Sequence, residues 1–303
     1  MKKKSIIPIL LICVFLGSIS VSCKSTPEKE ESSEIDSKAI SDSLLSSSEN
    51  LVFYSFPSSQ EMFNFIRKDA ELVYRTDLVN PTDNLSNYID TRSKNLALGI
   101  YLADLSYMTL FNKTSSAYEY IDVITRLSND LRISIPFQDQ FLTRIKNNLS
   151  NEDSLAEISD QYSNKIVDYL LQNNKDKILA NITSASYIEG LYLALNLVGE
   201  YTENNVVIKR IVEQKHSFTN LIKYAKKYYY DENTNAAIDL LTQIYNVFEK
   251  FQVIEEAKTT VERDENNRMV IKGGKKIVIT ENEYNELKQV VTDVRNKIIF
   301  NNL

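Results

Sequence analysis

The chain has 303 residues, of which 43% are hydrophobic and 25% charged, with a formal net charge of −6. An acidic balance repels phosphate backbones, so nucleic acid is not an expected partner. Six Gly and five Pro over this length exclude a sandwich of many tight turns and suit long helices.

The chain opens with a basic stretch, Lys2, Lys3 and Lys4, followed by an apolar run from Ile6 to Ile19 and by the small residues Ser20-Val21-Ser22 before Cys23. That order marks an export signal, and the apolar part is too short to span a bilayer. The segment resembles the lipobox of bacterial lipoproteins, with Ser20 standing where that family favours Leu. The resemblance implies that residues 1–22 are removed and that the Cys23 thiol carries a diacylglycerol. Cys13 would leave with the leader, so the mature chain would hold neither a free thiol nor a disulfide. With three lysines fewer, its formal charge would be −9. Lys24 follows Cys23 in place of the Asp that retains some lipoproteins at the inner membrane. The resemblance therefore implies a lipid-anchored protein of the cell envelope, at the outer membrane, on its periplasmic or its surface face.

Residues 23–50 form the expected tether. From Lys24 to Asn50, nine of 27 residues are Ser, seven are acidic and none is aromatic. Such a stretch buries too little apolar surface to offset its ordering entropy. As a coil it would span roughly 30 Å.

Residues 51–303 read as a helical domain. Apolar side chains recur at helical spacing. The spacing predicts a first helix from Ser58 or Ser59 to about Arg75, a second from about Asn84 to Phe111 and a third capped by Thr114 and running to Leu131. A fourth opens at Pro136, a fifth runs from Ser150 to about Asn173, and a sixth spans Asp176 to Tyr201. The seventh covers Val206 to Tyr230, and the eighth Asn233 to about Ala257. The period then changes. Met269-Val270-Ile271 and Ile277-Val278-Ile279 flank Gly273-Gly274, which predicts a β-hairpin turning at the two glycines. Thr280 with Glu283 is a capping box for a last helix to about Phe300.

Gly99-Ile100-Tyr101-Leu102-Ala103 and Gly190-Leu191-Tyr192-Leu193-Ala194 share one pattern, G-x-Y-L-A. With the helix order, the repeat predicts a mainly all-α fold of two similar four-helix units, at about 58–150 and 151–257. The hairpin and C-terminal helix follow at 258–303. Glycine inside a helix costs about 1 kcal/mol relative to Ala. Gly and Ala one turn apart offset that cost by admitting a close helix neighbour, here in a buried core and not a membrane span, because Asp104 and Glu189 interrupt the apolar runs.

His216 is the only histidine and sits in a polar stretch, where it should face solvent. No G-x-S-x-G elbow or phosphate loop is present. The sequence implies no cofactor and no metal site. Asp104 and Glu189, beside the repeated motif, are the candidate acids; helix-edge exposure or pairing with Arg92 or Lys94 is the plainer expectation for them. Tyr228-Tyr229-Tyr230 is a cluster suited to partner contact or to packing at a helix end.

The domain resembles the helical lipoproteins of Gram-negative bacteria. The leading expectation is a non-catalytic binding or scaffolding protein of the envelope, held to the membrane by its lipid and meeting an envelope protein. The alternatives are a hydrolase using two carboxylates on glycan or cell-wall substrates, and a helical-repeat peptide binder.

Overall fold

A computed structural model describes residues 72–134, 143–144, 152–203, 205–263 and 269–303. The leader, the tether and the expected fourth-helix start at Pro136 lie outside the described residues, as does most of the expected first helix. Residues 72–75 are not helical, so that helix does not reach Arg75.

Among the described residues the chain is mainly helical. The elements are α1 Thr91–Leu110, α2 Thr114–Asp130, α3 Glu152–Gln172, α4 Asp176–Val198, α5 Val206–Glu213, α6 Lys215–Lys226, α7 Asn235–Phe248, β1 Gln252–Arg263, β2 Met269–Val278 and α8 Glu281–Ile299. The two strands form one antiparallel hairpin, and α8 closes the chain.

Local chemistry accounts for several boundaries. The segment expected to start the second helix is instead a short 3-10 stretch, Thr82–Asn87, and α1 begins only after Asp90. The Asp90 carboxylate accepts from the backbone N–H of Ser93 at 2.9 Å, an N-cap that satisfies one of the helix's unpaired donors. Helix α4 stops at Gly199, whose φ of +78° is a backbone conformation that favours glycine. The expected seventh helix is two helices. The break falls at Gln214, whose backbone carbonyl accepts from the buried Tyr187 hydroxyl at 3.2 Å. The Thr280–Glu283 capping box is present, with Glu283 N–H donating to Thr280 Oγ1 and Thr280 N–H donating to Glu283 Oε2.

The hairpin differs from the sequence reading in register and length. The expected eighth helix ends at Phe248, and residues from Gln252 onward pair with β2: Gln252 with Val278, Val253 with Ile277, Glu255 with Lys275. Gly273 and Gly274 are therefore inside a strand and do not form the turn. Gly274 pairs with Ala257, and the register is irregular on both sides of that pair. A glycine commonly marks such a bulge, where the strand bends. The connection falls at residues 264–268, outside the described residues.

Helices α1 and α4 form the centre. Gly99 of α1 lies against Ile182, Ala185 and Ser186 of α4. Further along, Arg75 accepts at its carbonyl from Tyr107 of α1 and donates to the carbonyl of Asn196 on α4. The pairing advances in the same direction on both helices, so they run parallel. In α1, 17 of 20 residues are buried, which leaves no solvent face and identifies it as a core helix. Helix α4 is long and apolar enough to cross a membrane, yet 78% of its most apolar window is buried inside the fold. One continuous core joins α1, α2, α4 and α8, including Leu96, Ile124, Ile188 and Val291. The described residues thus share one core.

Candidate functional site

The two candidate acids meet. Asp104 lies on α1, just after the first G-x-Y-L-A copy, and Glu189 on α4, just before the second. Both are fully buried, so neither lies at an exposed helix edge. Nor does Arg92 or Lys94 supply the counter-charge. Lys94 pairs instead with Asp130 at 2.6 Å. The cation in the site is Arg295 of α8, 5% exposed. Its Nε donates to Glu189 Oε2 at 3.0 Å and its Nη2 to Glu189 Oε1 at 3.2 Å. This two-pronged grip uses the planar guanidinium as a fork on a carboxylate. The same Nη2 donates to the carbonyl of Leu78 at 2.9 Å, and the guanidinium lies over the Tyr192 ring, 4.4 Å from its centroid.

Asp104 is held differently. Its Oδ2 accepts from the backbone N–H of Asn80 at 3.0 Å. No donor is aimed at Oδ1 while both acids are ionised. Its polar neighbour is the Glu189 carboxyl, and two carboxyl groups share a hydrogen bond only when one carries a proton. Burial pushes the Asp104 carboxyl well above the usual carboxylate range. The negative charge of Glu189 pushes it the same way, and Arg295 opposes the shift without cancelling it. One cation facing two buried acids favours the protonated form of Asp104.

Around this centre, tyrosines fasten the Leu78–Pro81 segment. Tyr120 donates to the Asn80 carbonyl at 2.7 Å and Tyr101 to the Pro81 carbonyl at 2.9 Å. The Asn80 side chain donates to the Tyr88 hydroxyl at 3.0 Å, which donates on to the Ile299 carbonyl. Burial raises the pKa of all three phenols, that of Tyr88 to about 12, so they stay neutral donors. Both motif tyrosines take part, Tyr101 on the strap and Tyr192 under Arg295.

Chemically, the cluster is a sealed ion pair with a shared proton. Glycosidase carboxylates stand roughly 5–9.5 Å apart to admit a sugar bond and a water. Here the two carboxyls are within hydrogen-bond reach, and neither touches solvent. Among the described residues, no group of three His, Cys, Asp or Glu side chains is arranged to hold a metal ion. His216 is exposed, as its polar setting implied.

Arg295, Asn80, Tyr88 and Tyr120 were not singled out by the sequence. Only Arg295 left a signal there. It lies four residues after Val291 and three before Ile298, which puts a cation on the buried face of α8.

No family model matches the chain, no curated protein shows significant similarity to it, and no solved structure shows significant similarity to its fold.

Proposed function

We propose that this is a lipid-anchored protein of the bacterial envelope whose domain binds or scaffolds and does not catalyse. Ser20-Val21-Ser22-Cys23 supports the anchor. The observation that carries the non-catalytic reading is the enclosure of Asp104, Glu189 and Arg295. The only acids that stood out as candidates are used to lock α1, α4, α8 and the Leu78–Pro81 strap together.

Two measurements test this. Mass spectrometry of the mature N-terminal peptide should show cleavage before Cys23 and added acyl mass. A Cys23→Ala chain should leave the membrane fraction; full retention there would remove the anchor.

The carboxylate hydrolase is the second reading: Asp104 and Glu189 do meet, but enclosed and without the gap that a sugar bond and a water require. Cell-wall digestion by the wild-type chain, abolished by Asp104→Asn in a protein of unchanged melting temperature, would establish it in place of the first. A peptide-binding solenoid draws less support, because α1 and α4 are enclosed at the centre of the core and do not line an open wall.

A further inference from the structure

The strap Leu78–Pro81 passes the buried acid pair without belonging to an α-helix. The 3-10 turn Thr76–Leu78 leads into it, and the 3-10 stretch Thr82–Asn87 follows it. Leu78, Val79 and Asn80 are buried, so the strap is part of the core and not a surface loop. The bonds that fasten it to the helices run through side chains: Arg295 on the Leu78 carbonyl, Tyr120 on the Asn80 carbonyl, Tyr101 on the Pro81 carbonyl and Asp104 on the Asn80 N–H. Its backbone bonds are local, from Leu78 N–H to the Arg75 carbonyl and from Asn84 N–H to the Pro81 carbonyl. A segment held this way is released locally when one of its side-chain partners turns away.

Arg295 is the partner with a competing claim on it. Its Nη2 is divided between the Leu78 carbonyl at 2.9 Å and Glu189 Oε1 at 3.2 Å. The charges of Asp104 and Arg295 act on each other, yet the buried Asp104 Oδ1 accepts from none of the guanidinium donors in the present arrangement. While Asp104 is neutral, the guanidinium has no reason to leave Glu189 and the strap. Once Asp104 is ionised, two buried carboxylates face one cation, and a charged acceptor outcompetes a neutral carbonyl. The guanidinium fork is planar and rigid, so a turn that aims a donor at Oδ1 takes Nη2 off Leu78.

The surroundings of Asp104 supply no second counter-charge. The groups coupled to its charge are Glu189 on α4, Arg295 on α8, the phenols of Tyr74 and Tyr88 in the connecting segments, Tyr101 on α1 and Tyr120 on α2. Burial raises all four phenols, so they stay neutral at ordinary pH and cannot replace a cation. Burial and the Glu189 charge push the Asp104 carboxyl upward, the sense expected when two enclosed acids share one cation. The cluster therefore has two charge states that differ by one proton, and the strap is bonded to the residue that must respond.

We propose that Asp104, Glu189 and Arg295 form a pH-operated latch on the strap. With one proton held between the two acids, Arg295 keeps the Leu78 carbonyl and the strap lies closed. Loss of that proton to solvent turns Arg295 toward Asp104 Oδ1 and leaves the Leu78 carbonyl buried without a donor. A buried carbonyl without a partner is unfavourable and an exposed one is hydrated, so Thr76 to Val79 swing out to water. Asn80 and Pro81, still held by Tyr120, Tyr101 and Asp104, are the hinge. Because the closed form holds one more proton than the open form, opening becomes easier as pH rises. The change is up to tenfold per pH unit between the carboxyl values of the two forms. The latch lies in the core and does not depend on lipidation.

Residue-resolved hydrogen exchange on the full chain between pH 5 and 9, corrected for the intrinsic exchange rate, tests this. Protection of the Leu78 and Val79 amides should fall at least tenfold across that range. It should stay below the protection of Leu240 to Ile244 in α7 at every pH, because the opening is local. The Asn80 amide, held by Asp104 in both forms, should remain better protected than Val79 at pH 9. Asp104→Asn, whose side chain cannot ionise, should keep Leu78 and Val79 closed over the whole range. In the wild-type chain the fall should level off only where the carboxyl carbon-13 signal of Asp104 titrates, a readout that needs no variant. Protection indifferent to pH, a fall of the same size in Asp104→Asn, or strap protection equal to that of α7 throughout would overturn the proposal. So would an Asp104 signal already that of a carboxylate at pH 5.

Discussion

Arg295 grips both oxygens of Glu189, at 3.0 and 3.2 Å, in a setting where the arginine side chain is 6% exposed and the glutamate 0%. Glu189 belongs to α4 and Arg295 to α8, and the same guanidinium holds the Leu78 carbonyl of the strap. One side chain thus joins three parts of the chain that are far apart in sequence. The charge of Glu189 also pushes the Asp104 carboxyl upward, and Asp104 in turn accepts from the Asn80 N–H. The cluster works as a unit, and its members should not contribute additively.

Removing one member should therefore be severe. Arg295→Met leaves Glu189 charged, buried and unpaired, and breaking a buried pair in this way typically costs about 3–5 kcal/mol. Replacing both partners, as in Arg295→Met with Glu189→Met, should recover a large part of that loss because no lone charge remains. Urea unfolding of the two single variants and the double variant measures this. Equal stability of Arg295→Met and wild type would show that the pair does not organise the core.

Asp104 carries a pH signature with a definite sign. Its carboxyl in the folded chain is raised above its unfolded value, near 3.9. Folding therefore takes up a proton in the window between the two. The contribution of this group is fully present below about pH 4 and is lost as pH rises through the raised folded value, with a slope of up to about 1.4 kcal/mol per pH unit. Asp104→Asn keeps an acceptor for the Asn80 N–H and offers a fixed donor to Glu189. That variant should lose this slope and should match or exceed the wild type at pH 8. Melting temperatures from pH 5 to 9 for both chains give the comparison, and parallel curves would mean that Asp104 is ionised in the folded protein.

How much of this the sequence disclosed follows from the range of the interactions. Helices α2, α3 and α8 were readable because their apolar stripes and the Thr280–Glu283 box are local. The register of β1 was not. Gln252 to Ala257 carries apolar residues that satisfy a helical spacing as well as a strand, and only pairing with residues about 20 positions later decides between them. Glycines at 273 and 274 resemble a hairpin turn locally, while their strand position is fixed by the partner. Asp104 and Glu189 could be singled out as acids in apolar helices. Their juxtaposition, and the pairing of Glu189 with Arg295 more than 100 residues away, depends on tertiary packing that no local pattern encodes.

The turn after α6, Tyr228-Tyr229-Tyr230, permits a separation of roles among adjacent tyrosines. Tyr228 packs against Tyr224, whose hydroxyl reaches the Asp176 carbonyl, so Tyr228→Ala should destabilise the α4–α6 junction by about 1–3 kcal/mol. Tyr230→Ala should change stability by less than about 0.5 kcal/mol, as an exposed substitution does. Thermal denaturation of the two variants side by side tests the division. Comparable losses at both positions would mean that Tyr230 supports the fold.

The close approach of α1 and α4 at Gly99 is the remaining test of the repeated motif. Gly99 meets Ile182, Ala185 and Ser186, not Gly190, so the two copies do not face each other in register. A β-carbon built on Gly99 would lie 2.8 Å from the Ala185 β-carbon, 2.9 Å from the Ser186 backbone nitrogen and nearer still to the Ile182 carbonyl oxygen. Two of these three neighbours are backbone atoms of a buried helix, which cannot swing aside as a side chain would. Alanine is the better helix former by about 1 kcal/mol, so propensity alone predicts that Gly99→Ala stabilises. Overpacking opposes this by typically about 1–3 kcal/mol, and contacts this short set the balance toward loss. Gly99→Ala should therefore lower the melting temperature, and Gly99→Leu should lower it further by forcing α1 and α4 apart. Because Asp104 lies on α1 and Glu189 on α4, the same displacement should weaken their shared proton and flatten the pH dependence described for Asp104. A Gly99→Ala chain that melts higher than wild type, with that pH dependence intact, would show that the helices have room at this crossing and that the glycine is not what sets their separation.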